Sequence, residues 1–186
     1  MKVLLIQPPM FHLKMHLAPN LGLAYIAAVL EKAGVKVRVY DAAAEDVSYD
    51  EIIDQIKSFR PHLIGAGGQT PVSPRALTIF QRAKKEVNPA IITLAGGPHF
   101  SFTDRESLED CPELDIVVRG EGEDTIRELC RSIEKGEGLA GVKGITFRSG
   151  DGKIVRNPDR DPIADLDSIP LPAWHLFPVE KYHWVG

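Results

Sequence analysis

Four short clusters in this chain combine groups that can bond a ligand with residues that make room for one. They are Gln7-Pro8-Pro9, Gly65 to Gln69-Thr70-Pro71, Gly96-Gly97-Pro98-His99 and Gly120-Glu121-Gly122-Glu123. Glycines carry no Cβ, so the second and third clusters let backbone approach a ligand closely, while Gln69 and Thr70 add an amide and a hydroxyl. His99, with Phe100 and Ser101 behind it, adds an imidazole, an aromatic face and a second hydroxyl. The fourth cluster, with Asp124, sets three acids at a helix start, where the helix dipole favours them. Taken singly, tight turns and helix capping account for these residues equally well. Two such glycine loops side by side on one sheet edge make a binding cleft the stronger reading. Carboxylates at its rim repel phosphates and accept hydrogen bonds from a neutral ligand rich in primary amides.

Several other chemistries are missing. No Gly-x-Gly-x-x-Gly string is present to cradle a pyrophosphate, and no Gly-Lys-Ser/Thr to hold a nucleotide triphosphate. A phosphoacceptor receiver domain needs acids after the first strand and an Asp after the third, where this chain has Gln7 and Gly65 to Gln69. Cys111 and Cys130 belong to no CxxC or Cys/His cluster, so a zinc or iron-sulfur site within the chain is not expected.

These loops need a scaffold that aligns them. Apolar runs recur at Val3 to Ile6, Val35 to Tyr40, Leu63 to Ala66, Ile91 to Ala95 and Asp115 to Val118, and their continuous hydrophobicity suits strands covered on both faces. Helical patterns lie at Leu21 to Ala33, Tyr49 to Phe59, Pro74 to Val87 and Asp124 to Lys135, with Gly34, Pro61, Asn88-Pro89 and Gly136 as stop signals. The alternation predicts an α/β fold, a doubly wound, Rossmann-like parallel sheet of five strands in the flavodoxin-type order 2-1-3-4-5. Residues 142–156 read as an edge hairpin turning at Ser149 to Gly152. Residues 157–186 hold five prolines (Pro158, Pro162, Pro170, Pro172, Pro178) and the aromatics Trp174, Phe177, Tyr182 and Trp184, with no strand or helix period. We read 1–141 as the ligand-binding domain and 157–186 as an extended, anchor-bearing linker to a domain outside this chain.

The chain has 186 residues, 44% of them hydrophobic, and 22 Lys+Arg against 26 Asp+Glu give a formal charge of −4. A chain of that size buries a sufficient core without disulfides or a structural metal. Interspersed charge of both signs offers no positive field to nucleic acid or to an anionic membrane. The apolar run after Lys2 ends at Gln7-Pro8-Pro9, too short for a signal peptide or a span, so a cytoplasmic protein is expected.

Taken together, these segments resemble the amino-terminal cobalamin-binding domain of cobalamin-dependent radical S-adenosylmethionine enzymes. The likeness covers essentially the whole chain. It rests on Pro8-Pro9, Leu21-Gly22-Leu23 with Leu30 to Gly34, Asp41, Gly96-Gly97-Pro98-His99, Gly120-Glu121-Gly122-Glu123 and the tail Leu166 to Trp174 with its Ile-Pro-x-Pro-Ala-Trp ending. Their order and spacing carry the specificity. The resemblance implies a corrin ring over the carboxyl edge of the sheet and a nucleotide tail in a cleft beside the strands. Gly96, Gly97 and Pro98 would admit that tail, and Gln69 and Thr70 would bond its phosphate or ribose. Gln7, Pro8 and Pro9 would form a wall, Glu121, Gly122 and Glu123 would face the corrin amides, and His99 would either reach the ring or cap its loop.

Better-known cobalamin domains carry Asp-x-His-x-x-Gly after the first strand, the His on cobalt and the Asp orienting it. Here His12 has Met10 and Met15 at those offsets, and His16 has Lys14 and Pro19. The expectation is therefore base-off cobalamin with no protein histidine on cobalt, serving as a methyl carrier. The family's CxxxCxxC motif, which holds an iron-sulfur cluster for S-adenosylmethionine chemistry, is absent. Those cofactors would belong to a radical S-adenosylmethionine domain in cis, making this chain a piece of a longer enzyme or else a stand-alone carrier. Two other readings compete: a nucleotide or nucleotide-sugar binding enzyme with Asp41 on a ribose, and an interaction domain whose aromatic tail docks a partner.

Overall fold

The computed structural model describes residues 1–10 and 18–182. Its first strand, β1 (Lys2–Gln7), explains the rest of the design. Val3, Leu4, Leu5 and Ile6 are all buried. Side chains alternate across a strand, so Val3 and Leu5 enter the hydrophobic cluster on one face, and Leu4 and Ile6 the cluster on the other. Helices must therefore cover both faces.

The chain continues through α1 (Leu21–Lys32), β2 (Lys36–Asp41), α2 (Ala42–Glu45), α3 (Tyr49–Phe59), β3 (Leu63–Gly67), α4 (Ser73–Glu86), β4 (Ile92–Gly96), α5 (Pro98–Phe102), α6 (Asp104–Asp110), β5 (Ile116–Val118) and α7 (Glu123–Lys135). A hairpin of β6 (Ile145–Arg148) and β7 (Ile154–Arg156) follows. The sheet runs β2-β1-β3-β4-β5-β6-β7, parallel through β5 and antiparallel in the hairpin strands. The expected 2-1-3-4-5 core is present, and the hairpin extends it to seven strands. Helices α1 and α7 contribute to the core on the Val3/Leu5 face, and α3, α4, α5 and α6 to that on the Leu4/Ile6 face.

Local chemistry sets the helix boundaries. Asn20 caps α1 by accepting from the Leu23 amide, and Ser48 and Glu51 form a reciprocal capping box on α3. Gly136 ends α7 in the left-handed conformation. Helices α2, α5 and α6 carry no apolar stripe in the sequence. They are short, and α5 buries Phe100 as its only fully covered residue, so there is no period to detect. The hairpin opens at Ile145 rather than Val142. Residues Leu139–Gly141 form a 3-10 turn, and Gly144, at φ 79°, redirects the chain before pairing begins.

The tail lies against the domain. Ala173 and Phe177 are buried among the α1-side core residues, and the Ala173 amide donates to the Ala24 carbonyl (3.1 Å). Trp174 packs edge-on against Phe177. Among the described residues no helix is long and apolar enough to cross a membrane.

Candidate ligand cleft

In an open parallel sheet the strands' carboxyl ends, near the point where the order reverses, are where loops diverge and leave a crevice. Here β1 sends the chain one way to β2, and β3 lies on its other side. A cleft of about 310 Å³ opens beside this point, between the amino-terminal turns of α1 and α7.

Register explains its floor. Leu5 pairs with Gly65 and Gly65 with Leu94, so glycine stands between two leucines on the cleft side of the sheet. A Cβ on Gly65 would touch Leu5 Cδ2 at 3.1 Å and Leu94 Cδ2 at 3.7 Å. Two residues further up, Gly67 pairs with Gly96, and a Cβ on Gly67 would lie 2.0 Å from the Gly96 carbonyl oxygen. The sheet is thus bare along β3 and the end of β4. Gly97, at φ 94°, turns against the Gly68 backbone, whose amide donates to Gly96 O (3.1 Å) and whose carbonyl accepts from the His99 amide (3.3 Å). On the opposite wall a Cβ on Gly122 would meet Ile26 Cδ1 at 3.0 Å, so this glycine permits the close approach of α7 to α1. The glycines serve the protein's own packing first, and the trough is its consequence.

Polar side chains gather at the rim. Of the described residues lining the cleft, only Asn20, Glu121 and Glu123 carry polar side chains, while Leu5, Leu94, Val118 and Ile126 are buried and apolar. Asn20 also donates to Gln7 Oε1 (2.6 Å), joining the end of β1 to the α1 cap. Glu121 is half engaged already, since its Oε2 accepts from the Ile163 amide (2.7 Å). Beside the cleft His99 Nδ1 and Thr70 Oγ1 lie 3.2 Å apart, linking the loops after β3 and β4.

The structure therefore brings Gly96, Gly97, Pro98, Glu121, Gly122 and Glu123 to one cleft. Gln7, Pro8, Pro9, Gln69, Thr70 and His99 stand outside the lining. Pro8 and Pro9 are buried in the loop after β1, where Arg75 donates to the Pro9 carbonyl (3.0 Å), and Gln69 and Thr70 are exposed. His12 and His16 lie outside the described residues. Among the described residues no group of three or more His, Cys, Asp or Glu is placed to hold a metal ion.

Sequence reading missed the support beneath the acidic loop. Arg119, at the end of β5, is buried and donates to Thr146 Oγ1 (2.5 Å), the Asn157 carbonyl (2.7 Å) and Asp159 Oδ1 (2.7 Å). Asp104 accepts from Thr146 and from Arg156 Nε (3.0 Å). One step up the chain, Arg160 binds Thr125 Oγ1 (2.8 Å) and Glu128, fastening the tail to the first turns of α7. These partners are far apart in sequence and share no motif.

Asp41 proves to be committed elsewhere. It is buried at the start of α2, where Oδ1 accepts from the Ala43 and Ala44 amides (3.1 and 2.9 Å) and Oδ2 from the Tyr182 hydroxyl (2.7 Å). Burial raises its pKa above the ordinary carboxylate value despite these donors. Burial and the adjoining carboxylate likewise push the Tyr182 phenol up. Buried, bonded through both oxygens to the protein's own groups and outside the cleft lining, Asp41 is not presented to a ribose, and the nucleotide reading loses the residue that supported it.

Comparison with known families now bears on this geometry. Residues 16–130 match the model of the B12 binding domain. The chain belongs to that family. It is similar to an uncharacterized methyltransferase of Pyrococcus horikoshii, 36% identical over 98% of this chain and 40% of the relative. It is also similar to the anaerobic magnesium-protoporphyrin IX monomethyl ester cyclase of Rubrivivax gelatinosus, 36% identical over 90% of this chain and 30% of the relative. The chain thus spans well under half of the curated relatives it matches. Its fold is shared with the cobalamin-dependent S-adenosylmethionine radical enzyme OxsB, solved with aqua-cobalamin and S-adenosylmethionine bound, at a TM-score of 0.81, 22% identity and coverage of 92% of this chain and 24% of that one. The expected cobalamin-domain family and the fold are both borne out.

Proposed function

We propose that this B12-binding domain holds base-off cobalamin with no protein histidine on cobalt, as a methyl carrier for a radical S-adenosylmethionine domain in the same polypeptide. The observation that carries the reading is the glycine-bare trough of Gly65, Gly67 and Gly96 at the carboxyl edge of the sheet. A Cβ on Gly65 would stand in it, and its apolar walls and polar rim suit a flat group at the end of an amide-fringed ring.

In this arrangement Gly96, Gly97, Pro98 and Gly122 admit the nucleotide tail. Gln69 and Thr70 bond its phosphate or ribose from the adjoining loop, with Thr70 oriented by His99. Glu123 and the free oxygen of Glu121 accept from side-chain amides of the corrin. Gln7, Pro8 and Pro9 back the first loop, Gln7 by holding Asn20. When bound, the cofactor supplies a cobalt that takes up and gives away a methyl group. The protein's part is to hold it open-sided toward the domain that carries S-adenosylmethionine and an iron-sulfur cluster. The methyltransferase and radical-enzyme names of its relatives support that assignment, and the identity of the substrate rests with the other domain. A cytoplasmic setting accords with two free, buried thiols.

The test is an absorption titration of the chain with hydroxocobalamin and methylcobalamin, followed by desalting. The reading predicts near-stoichiometric retention with a base-off spectrum, unchanged in His12→Ala and His16→Ala. A spectrum that depends on either histidine contradicts the ligand assignment, and absence of retention contradicts the function.

A further inference from the structure

We infer that the cleft selects among corrinoids by the base at the end of the nucleotide tail, taking benzimidazole or phenolic bases and rejecting purines, with Gly65 setting the depth available to that base. The inference rests on the proposed function, because it assigns the cleft to the tail.

Its grounds are the chemistry of the floor. Leu5, Leu94, Val118 and Ile126, which line the cleft, are buried and present hydrocarbon alone. The backbone of Gly65, Ala66 and Gly67 lies in the ladders to β1 and β4. Asn20, Glu121 and Glu123 stand at helix starts on the rim, and Asn20 and Glu121 already hold partners. A dimethylbenzimidazole released from cobalt has one nitrogen acceptor, and a cresol base has none beyond its glycosidic oxygen. Adenine has several ring acceptors and an amino group, which lose water on entering this floor, where the side chains offer neither donor nor acceptor. Apolar pockets discriminate against added polar groups to a limited degree, so the expected penalty is about tenfold to a hundredfold in affinity. The ease of releasing the base from cobalt runs the other way, since the less basic adenine nitrogen leaves more readily.

Gly65 is the place to alter the slot. A Cβ there would lie 3.1 Å from Leu5 Cδ2, a contact relieved by a shift of a few tenths of an ångström, and the position has no positive φ. Gly65→Ala should fold and shorten the slot.

The experiment measures dissociation constants of the wild-type chain for cobalamin, cresolyl cobamide and adeninyl cobamide, and of Gly65→Ala for these and for cobinamide, which lacks the tail. The expected result is cobalamin and the cresolyl form within a few-fold of each other and the adeninyl form at least about tenfold weaker. In Gly65→Ala, cobalamin should weaken by a similar factor while cobinamide is unaffected. Equal or tighter binding of the adeninyl form overturns the inference and leaves the proposed function standing. So does a Gly65→Ala chain of wild-type melting temperature with undiminished affinity for cobalamin. Failure of every corrinoid to bind overturns the function and the inference together.

Discussion

Gly67 and Gly96 face each other across the β3–β4 ladder so closely that a Cβ on the first would lie 2.0 Å from the carbonyl oxygen of the second. Neither a rotamer change nor a small backbone adjustment relieves such an overlap. Gly67→Ala should therefore separate the strand ends at the cleft floor and cost about 3 kcal/mol or more, read as a lowered urea midpoint. Gly96→Ala should be mild, since its Cβ would meet nothing nearer than Val118 O at 3.9 Å.

A second prediction concerns the tail's anchor. Tyr182→Phe leaves Asp41 Oδ2 without its donor in a buried site and should lower stability by about 1.5 to 3 kcal/mol in urea unfolding. The pH dependence has a definite sign. Burial and the Asp41 carboxylate hold the folded pKa of Tyr182 above the ordinary tyrosine value of about 10, so its contribution is complete below pH 10 and is lost as the pH rises beyond it. The wild type should lose stability above pH 10 more steeply than Tyr182→Phe. A parallel fall in both proteins would show that the phenol does not ionise with unfolding.

The Arg119 network should behave as a unit. Arg119→Ala leaves Asp104, itself 8% exposed, with fewer counter-charges and frees the carbonyl of Asn157. Breaking a buried ion pair on one side costs about 3 to 5 kcal/mol, which in a chain of this length lowers the melting temperature by about 6 to 20 °C. Arg119→Lys should recover little, because one ammonium does not replace a fork that reaches Thr146, Asn157 and Asp159 together.

The two thiols should be silent in the native chain. Burial pushes the Cys130 pKa up to about 12, and burial raises that of Cys111 as well. At pH 8 the thiolate fraction of Cys130 is then about one in ten thousand. Ellman's reagent should react with both groups in denaturant and with neither at a comparable rate in buffer. Rapid native labelling would mean that the packing around α7 and the end of α6 opens readily.

What the sequence disclosed follows from which interactions are local. Strands covered on both faces need unbroken apolar runs, so β1 and β3 were legible, as were α1 and α3 from their helical patterns and the stop signals Gly34 and Pro61. The glycine loops after β3 and β4 were legible too, because turn chemistry is written in neighbouring residues. The slot at Gly65 was not, since it exists only once parallel pairing sets that glycine between Leu5 and Leu94. The Arg119 network escaped for the same reason, its partners Asp104, Thr146 and Asp159 being joined by folding alone. The competing reading of Asp41 as a ribose ligand stayed open in the sequence because its partner Tyr182 lies in a tail without any period.

The most direct test of the account is hydrogen exchange by mass spectrometry on the chain with and without hydroxocobalamin. The account predicts slowed exchange in segments 65–70, 94–99 and 120–126, which border the cleft, and little change in α3 and α4 on the far face. Protection confined to α3 and α4, or none in the three cleft segments at saturating cofactor, would contradict it.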